Sequence, residues 1–175
     1  DRNNITTRGT NGWVVRIQNS NNNNLSNNLL TSSGSSGYGV YSYSSMNNIQ
    51  SNNTITTTGT IGYGIYLYTN SNNNTFSGMN VKTSSTGNAL YIADTNHNFT
   101  ISNSILNSSQ SATKDFAIAA AVKGGIWNFT NVTRSDGSPI NISWTAKANG
   151  TIYMYYYLDV NVSSGGSVLA NANVS

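Results

Sequence analysis

Gly37-Tyr38-Gly39-Val40-Tyr41-Ser42-Tyr43 returns 25 residues later as Gly62-Tyr63-Gly64-Ile65-Tyr66-Leu67-Tyr68. Both segments pair a glycine-rich opening with an alternating stretch. Alternation at period two sends Val40, Ser42, Ile65 and Leu67 to one side of a strand. It sends Tyr41, Tyr43, Tyr66 and Tyr68 to the other. Following the first apolar position outward gives Val15, Val40, Ile65, Leu90, Phe116 and Ile142, with steps of 25 or 26. Two residues on, the same register reads Ile17, Ser42, Leu67, Ile92, Ile118 and Trp144. A separate apolar series runs Ile5, Leu30, Ile55, Val81, Leu106 and Val132.

Polar positions keep the same period. Gly12, Gly37, Gly62 and Gly87 are 25 apart, as are Asn23, Asn48, Asn73 and Asn98. Asn22, Asn47, Asn72 and His97 form a neighbouring column. The glycines fall just before a strand, where a corner calls for a permissive backbone. The asparagines fall at another corner, where they tolerate left-handed φ and can bond to their copies one turn away.

A repeat near 25 residues points to a stacked architecture. Leucine-rich repeats lack their Leu-x-x-Leu-x-Leu pattern here. Helical repeats need helix formers, whereas 31 Asn, 26 Ser and 20 Thr make up 77 of the 175 residues. The fold class predicted is all-β. It is a single-stranded parallel β-helix, a solenoid of about six turns of 25–26 residues, over residues 1–145. Residues 146–175 form a short β extension. Within it Thr151 to Val162 alternates as a long strand, with Ile152, Met154, Tyr156, Leu158, Val160 and Val162 on one face. Ser163 to Gly166 reads as a turn, and Val168 to Val174 as a second strand.

Asn24-Leu25-Ser26-Asn27-Asn28, Gln50-Ser51-Asn52-Asn53-Thr54-Ile55 and Gly64-Ile65-Tyr66-Leu67-Tyr68 resemble the right-handed parallel β-helix repeats of NosD-like proteins. They look most like those of archaeal adhesin-like cell-surface proteins. The resemblance covers roughly residues 3–145 and specifies fold better than function, since such repeats also occur in polysaccharide lyases and tailspikes. Tyr157 to Val162 with Ala172-Asn173-Val174 is similar to the opening hairpin of Ig-like modules that follow these repeats.

Composition narrows the chemistry. Charged residues are 7% of the chain, glutamate is absent and the net charge is +3. The basic residues are scattered, so no nucleic-acid footprint appears. Nor is there an apolar stretch of membrane-spanning length. With no cysteine, disulfides and thiolate sites are excluded. Lyases of this fold need clustered acids for calcium and a nearby basic residue. Asp94 and Asp115 are 21 apart and miss a common column, and Asp136 and Asp159 lie elsewhere. Lys114 with Asp94 and Asp115 is the set whose convergence would favour an enzyme. His97 is the only histidine and occupies an asparagine-column position, where it stacks or hydrogen-bonds. The chain therefore reads as non-enzymatic, with no cofactor or metal.

Tyr41, Tyr66 and Tyr91 form an outward ladder, Arg16 holds the same column one turn earlier, and Tyr43 and Tyr68 add a second column. Arg16 is placed to lie over Tyr41 as a cation–π partner. Such a ladder serves either as a platform for glycans or a protein partner, or as cross-strand stabilisation. Tyr153, Tyr155 and Tyr157 carry the same ambiguity and are the expected contact of an inter-subunit strand. Residue 1 lies directly ahead of the first turn with no cap, so either further sequence or another subunit is expected to cover that edge. Asn-X-Ser/Thr sequons occur at Asn4, Asn24, Asn52, Asn73, Asn98, Asn107, Asn128, Asn131, Asn141, Asn149, Asn161 and Asn173.

These features predict an extracellular structural or adhesive glycoprotein, with copies of itself or cell-surface glycans as partners and a filament or sheath as the assembly. The alternatives are a polysaccharide-binding or lyase-like β-helix protein and a viral fibre.

Overall fold

In a computed structural model the chain is a parallel β-solenoid of about six turns. Residues 2–84, 86–109 and 115–157 are described, together with the strand pairs at 163–164 and 167–168. Among the described residues there is no helix. Each turn contributes one strand to each of three faces. The first face stacks Val15–Gln18, Val40–Tyr43, Ile65–Tyr68 and Leu90–Asn96, then the start of Phe116–Thr133, then Ile142–Trp144. The second stacks Asn24–Ser26, Ile49–Ser51, Asn74–Ser77 and the start of Phe99–Ser108. The third stacks Asn4–Thr7, Leu29–Ser32, Thr54–Thr57, Asn80–Thr83 and the end of Phe99–Ser108. All pairing between these strands is parallel. At ~4.8 Å between strands, six turns make a rod about 29 Å long.

The first face keeps the register read from the sequence. Val15, Val40, Ile65, Leu90, Phe116 and Ile142 are successive ladder partners, as are Ile17, Ser42, Leu67, Ile92, Ile118 and Trp144. Val40, Ile65, Leu90 and Phe116 have no exposed surface. A parallel in-register stack puts each inward position on its own copy, so one apolar column per turn builds a continuous core.

Two other columns shift. A 26-residue turn sets Ile49 opposite Thr75, so the asparagine ladder runs Asn23, Asn48, Asn74 and not Asn73 and Asn98. A widening bulge after Ile92 lengthens the next step to 28 residues, from Phe99 to Trp127. Val132 therefore lies opposite Ser104 rather than Leu106. This wider turn is filled by rings: Phe99 lies 5.9 Å from Phe116, 5.7 Å from Phe129 and 6.5 Å from Trp127.

The corners explain the asparagine content. Asn27, Asn52, Gly78, Asn103 and Asn131 all have φ between 47° and 58° and form one column. Asn22, Asn47 and Asn73 form a second, at 55° to 59°. Asparagine enters this region at low cost, so a chain that turns three times per rung uses it repeatedly. The glycine column behaves otherwise than expected. Gly12, Gly37, Gly62 and Gly87 do not have positive φ. What Gly37 supplies is room: a Cβ there would meet Ser32 Oγ and the Gly12 carbonyl.

The C-terminal strand is shorter than the alternation suggested. Asn149–Tyr155 pairs in parallel with Phe116–Thr133, setting Ile152 on Trp127 and Met154 on Phe129. Ile152 and Met154 are half-buried, while Tyr153 and Tyr155 are exposed. Tyr156 and Tyr157 follow outside the strand. Ser163–Ser164 pairs antiparallel with Ser167–Val168. Leu158, Val160, Val162 and the rest of the proposed second strand lie outside the described residues.

Candidate functional site: an aromatic plate on the first face

On the first face the residue after each core position points outward. That column reads Arg16, Tyr41, Tyr66, Tyr91, Ala117 and Ser143. Tyr41 and Tyr66 are 5.3 Å apart, ring centre to ring centre, and so are Tyr66 and Tyr91. The parallel column holds Tyr43 and Tyr68 at 5.6 Å. The sequence reading missed a third column, Trp13, Tyr38 and Tyr63. Its signal was available as an aromatic residue after each of Gly12, Gly37 and Gly62. These rings fold over the strand and complete a second layer outside the sheet. Tyr38 meets Tyr66 edge-on at 5.0 Å, and Tyr63 stacks on Tyr91 at 4.6 Å with planes 8° apart.

Eight rings thus cover four turns of one face. Tyr41 points away from the core yet is only 9% exposed, because Trp13, Tyr38, Tyr43, Tyr66 and Tyr68 surround it. Arg16 lies 5.9 Å over Tyr41 as expected, but its closer partner is Trp13 at 4.6 Å. Burial among the rings raises the phenol pKa of Tyr38, Tyr41, Tyr66 and Tyr91, and pushes Tyr63 up to about 12. Arg16 partly opposes this at Tyr41. These hydroxyls are therefore neutral donors and acceptors throughout the ordinary pH range.

The described carboxylates are engaged elsewhere. Asp115 has no exposed surface. It accepts from the main-chain N–H of Ser108 at 2.7 Å and of Asn141 at 2.8 Å, and from Arg134 Nη1 at 3.1 Å. Asp94 accepts from the main chain of Thr69 at 2.6 Å and from its hydroxyl at 3.1 Å. Asp136 accepts from the main chain and hydroxyl of Ser138, which holds it below its ordinary value. Lys114 and Asp159 lie outside the described residues. His97 is fully buried, with Nδ1 3.5 Å from the Ser71 carbonyl and no hydrogen bond at Nε2. Burial lowers its pKa, so the ring is neutral and its 3.8 Å approach to Asp94 is not an ion pair. Among the described residues no three His, Cys, Asp or Glu side chains gather to hold a metal.

The sequons divide by exposure. Asn4, Asn24, Asn52, Asn73, Asn98 and Asn149 are exposed, whereas Asn107, Asn128, Asn131 and Asn141 are half-buried. Asn161 and Asn173 lie outside the described residues. Asn73, Asn98 and Asn128 also line a shallow groove of ≈ 390 Å³ over the second face.

No family model, no curated protein and no solved structure matches this chain.

Proposed function

We propose that this chain is a non-catalytic, extracellular structural or adhesive protein of a cell surface, built as a NosD-like or archaeal adhesin-like repeat rod. The observation that carries the reading is the use made of Asp94, Asp115 and Asp136. Each is bonded to main-chain N–H groups that hold a strand end or a turn. A carboxylate occupied in this way fixes geometry, whereas a general acid or base must face a substrate. The side-chain ladders along the axis support the same reading, since they stiffen a rod of low charge. Copies of the chain, cell-surface glycans or both are its partners. Tyr153, Tyr155 and Tyr157 support contact between copies, since they expose 46%, 52% and 65% of their surface, with the Tyr153 and Tyr155 rings stacked on each other.

The test is immunogold microscopy of the source cells with microscopy and light scattering of the purified protein. Label on the envelope, with filaments or a lattice that disperse when Tyr153 and Tyr155 are both changed to Ser, is the expected result. Label in the cell interior, or turnover of polysaccharide by the purified chain, would overturn the reading.

The aromatic plate favours a second reading, a polysaccharide-binding β-helix protein. It separates from a lyase by whether the polymer is held or cut.

A further inference from the structure

We propose that the plate formed by Trp13, Tyr38, Tyr63, Tyr66 and Tyr91, packed around the nearly covered Tyr41, binds a neutral polysaccharide chain lying along the solenoid axis. The proposal deepens the adhesive reading, since it names what the surface holds.

Period comes first. Tyr38–Tyr63, Tyr41–Tyr66 and Tyr66–Tyr91 are each 5.3 Å apart. That spacing is comparable to the advance of one sugar along an extended pyranose chain. A linear polymer laid on the plate therefore meets a tyrosine at each of three rungs, with Trp13 and Arg16 at the rung before them. The plate ends where Ala117 replaces tyrosine, so it offers about four such places.

Chemistry comes second. A pyranose presents C–H faces and hydroxyl edges, and a tyrosine presents an apolar ring and a hydroxyl. The phenols stay protonated, so they donate to and accept from sugar hydroxyls without selecting for charge. The Tyr43 and Tyr68 column begins one rung earlier with the exposed amide of Gln18, and the corner beyond it adds the exposed amides Asn19 and Asn70. Amide groups beside aromatic rings suit neighbouring hydroxyls.

Charge comes third. Arg16 is a cation on the plate, and Asp94 in the fourth strand of the same face is already bonded to Thr69. Two copies docked plate to plate with their axes parallel would bring together two guanidinium groups without a free counter-charge. A neutral glycan requires none. The rings also hold one another in place before any ligand arrives, so little side-chain freedom is lost on binding.

The test is affinity electrophoresis of the whole chain in gels containing hydroxyethylcellulose, galactomannan or polygalacturonate. It is joined by calorimetry with neutral oligosaccharides of two to six sugars and by light scattering. The expected result is retardation by at least one neutral polymer, and affinity that rises to about four sugars and then levels. Tyr66→Ala should weaken binding at least tenfold. Tyr91→Ala, at the rim of the plate, gives a second reading should Tyr66→Ala fold poorly. Tyr66→Phe should retain most of the binding. Three results would overturn the proposal: no retardation by either neutral polymer, retardation by polygalacturonate alone, or a dimer that Tyr91→Ala converts to monomer. Glycan binding by a protein absent from the cell surface would sink the adhesive reading and leave this one standing. An envelope protein whose plate binds no neutral glycan would do the reverse.

Discussion

Asn53 Oδ1 accepts from both the main-chain N–H and the side-chain Nδ2 of Asn28, one turn earlier, at 2.9 and 3.0 Å. Asn53 in turn donates to the Leu25 carbonyl at 2.7 Å. Both side chains are buried, at 4% and 0% exposure. One side chain therefore satisfies two buried donors and a half-buried carbonyl. Asn28 Oδ1 extends the ladder by accepting from Asn3 Nδ2 at 3.0 Å.

Replacing Asn53 by Ala strands the main-chain N–H of Asn28, takes one of two partners from its side-chain nitrogen, which still donates to the Ser26 carbonyl, and removes the donor at the Leu25 carbonyl. Leaving buried polar groups unpaired costs about 1–3 kcal/mol each. Asn53→Ala should lower stability by about 3 kcal/mol, measured by urea unfolding. Asn3→Ala, at the exposed end of the ladder, should cost less than 1 kcal/mol. Equal losses at the two positions would mean the ladder is not the source.

The buried Asp115–Arg134 pair supports a different kind of test. Removing Arg134 leaves a carboxylate with no exposed surface and no other ion-pair partner among the described residues. Breaking such a pair from one side costs about 3–5 kcal/mol. Arg134→Met should fall in that range. Arg134→Met combined with Asp115→Asn should recover part of it, because the buried charge is gone and the carboxamide oxygen keeps one of the two main-chain hydrogen bonds. A double-mutant cycle with no coupling would contradict the geometry.

His97 should make the fold sensitive to acid. Its folded-state pKa is lowered by burial, so the unfolded chain takes up the proton more readily. Its contribution to stability is therefore intact above the unfolded value of about 6.5, and falls as the pH drops below it. His97→Asn, which removes the titrating ring, should flatten the stability profile between pH 7 and pH 5. Unfolding curves at both pH values for the two proteins would show this, and an unchanged slope would refute it.

Gly59 and Gly9 occupy equivalent places fifty residues apart. A Cβ on Gly59 would run into the Gly34 carbonyl oxygen, whereas nothing lies within 4 Å at Gly9. Gly59→Ala should destabilise by more than about 3 kcal/mol, as overpacking against backbone allows little relief. Gly9→Ala should stay within about 0.5 kcal/mol of the parent. Thermal melts of the two proteins compare them directly.

How much of this was legible follows from how a parallel stack works. Each position lies on its own copy, so period and alternation alone placed Val40 on Ile65 inside the rod and Tyr41 on Tyr66 outside it. Six rungs, the inward columns and the outward tyrosines were therefore determined by sequence. Tertiary structure decided where the period slips. Asn74 rather than Asn73 continues its ladder, and Val132 faces Ser104, because inserted residues show only where the backbone absorbs them. It also decided that Tyr41 is nearly covered, that Gly37 is needed for room and not for φ, and that Asn149–Tyr155 stacks on Phe116–Thr133. Alternation tells which side of a strand a side chain leaves from. What it then meets depends on neighbouring columns that fold over the same face, such as Trp13, Tyr38 and Tyr63, and their contacts exist only once the turns are stacked.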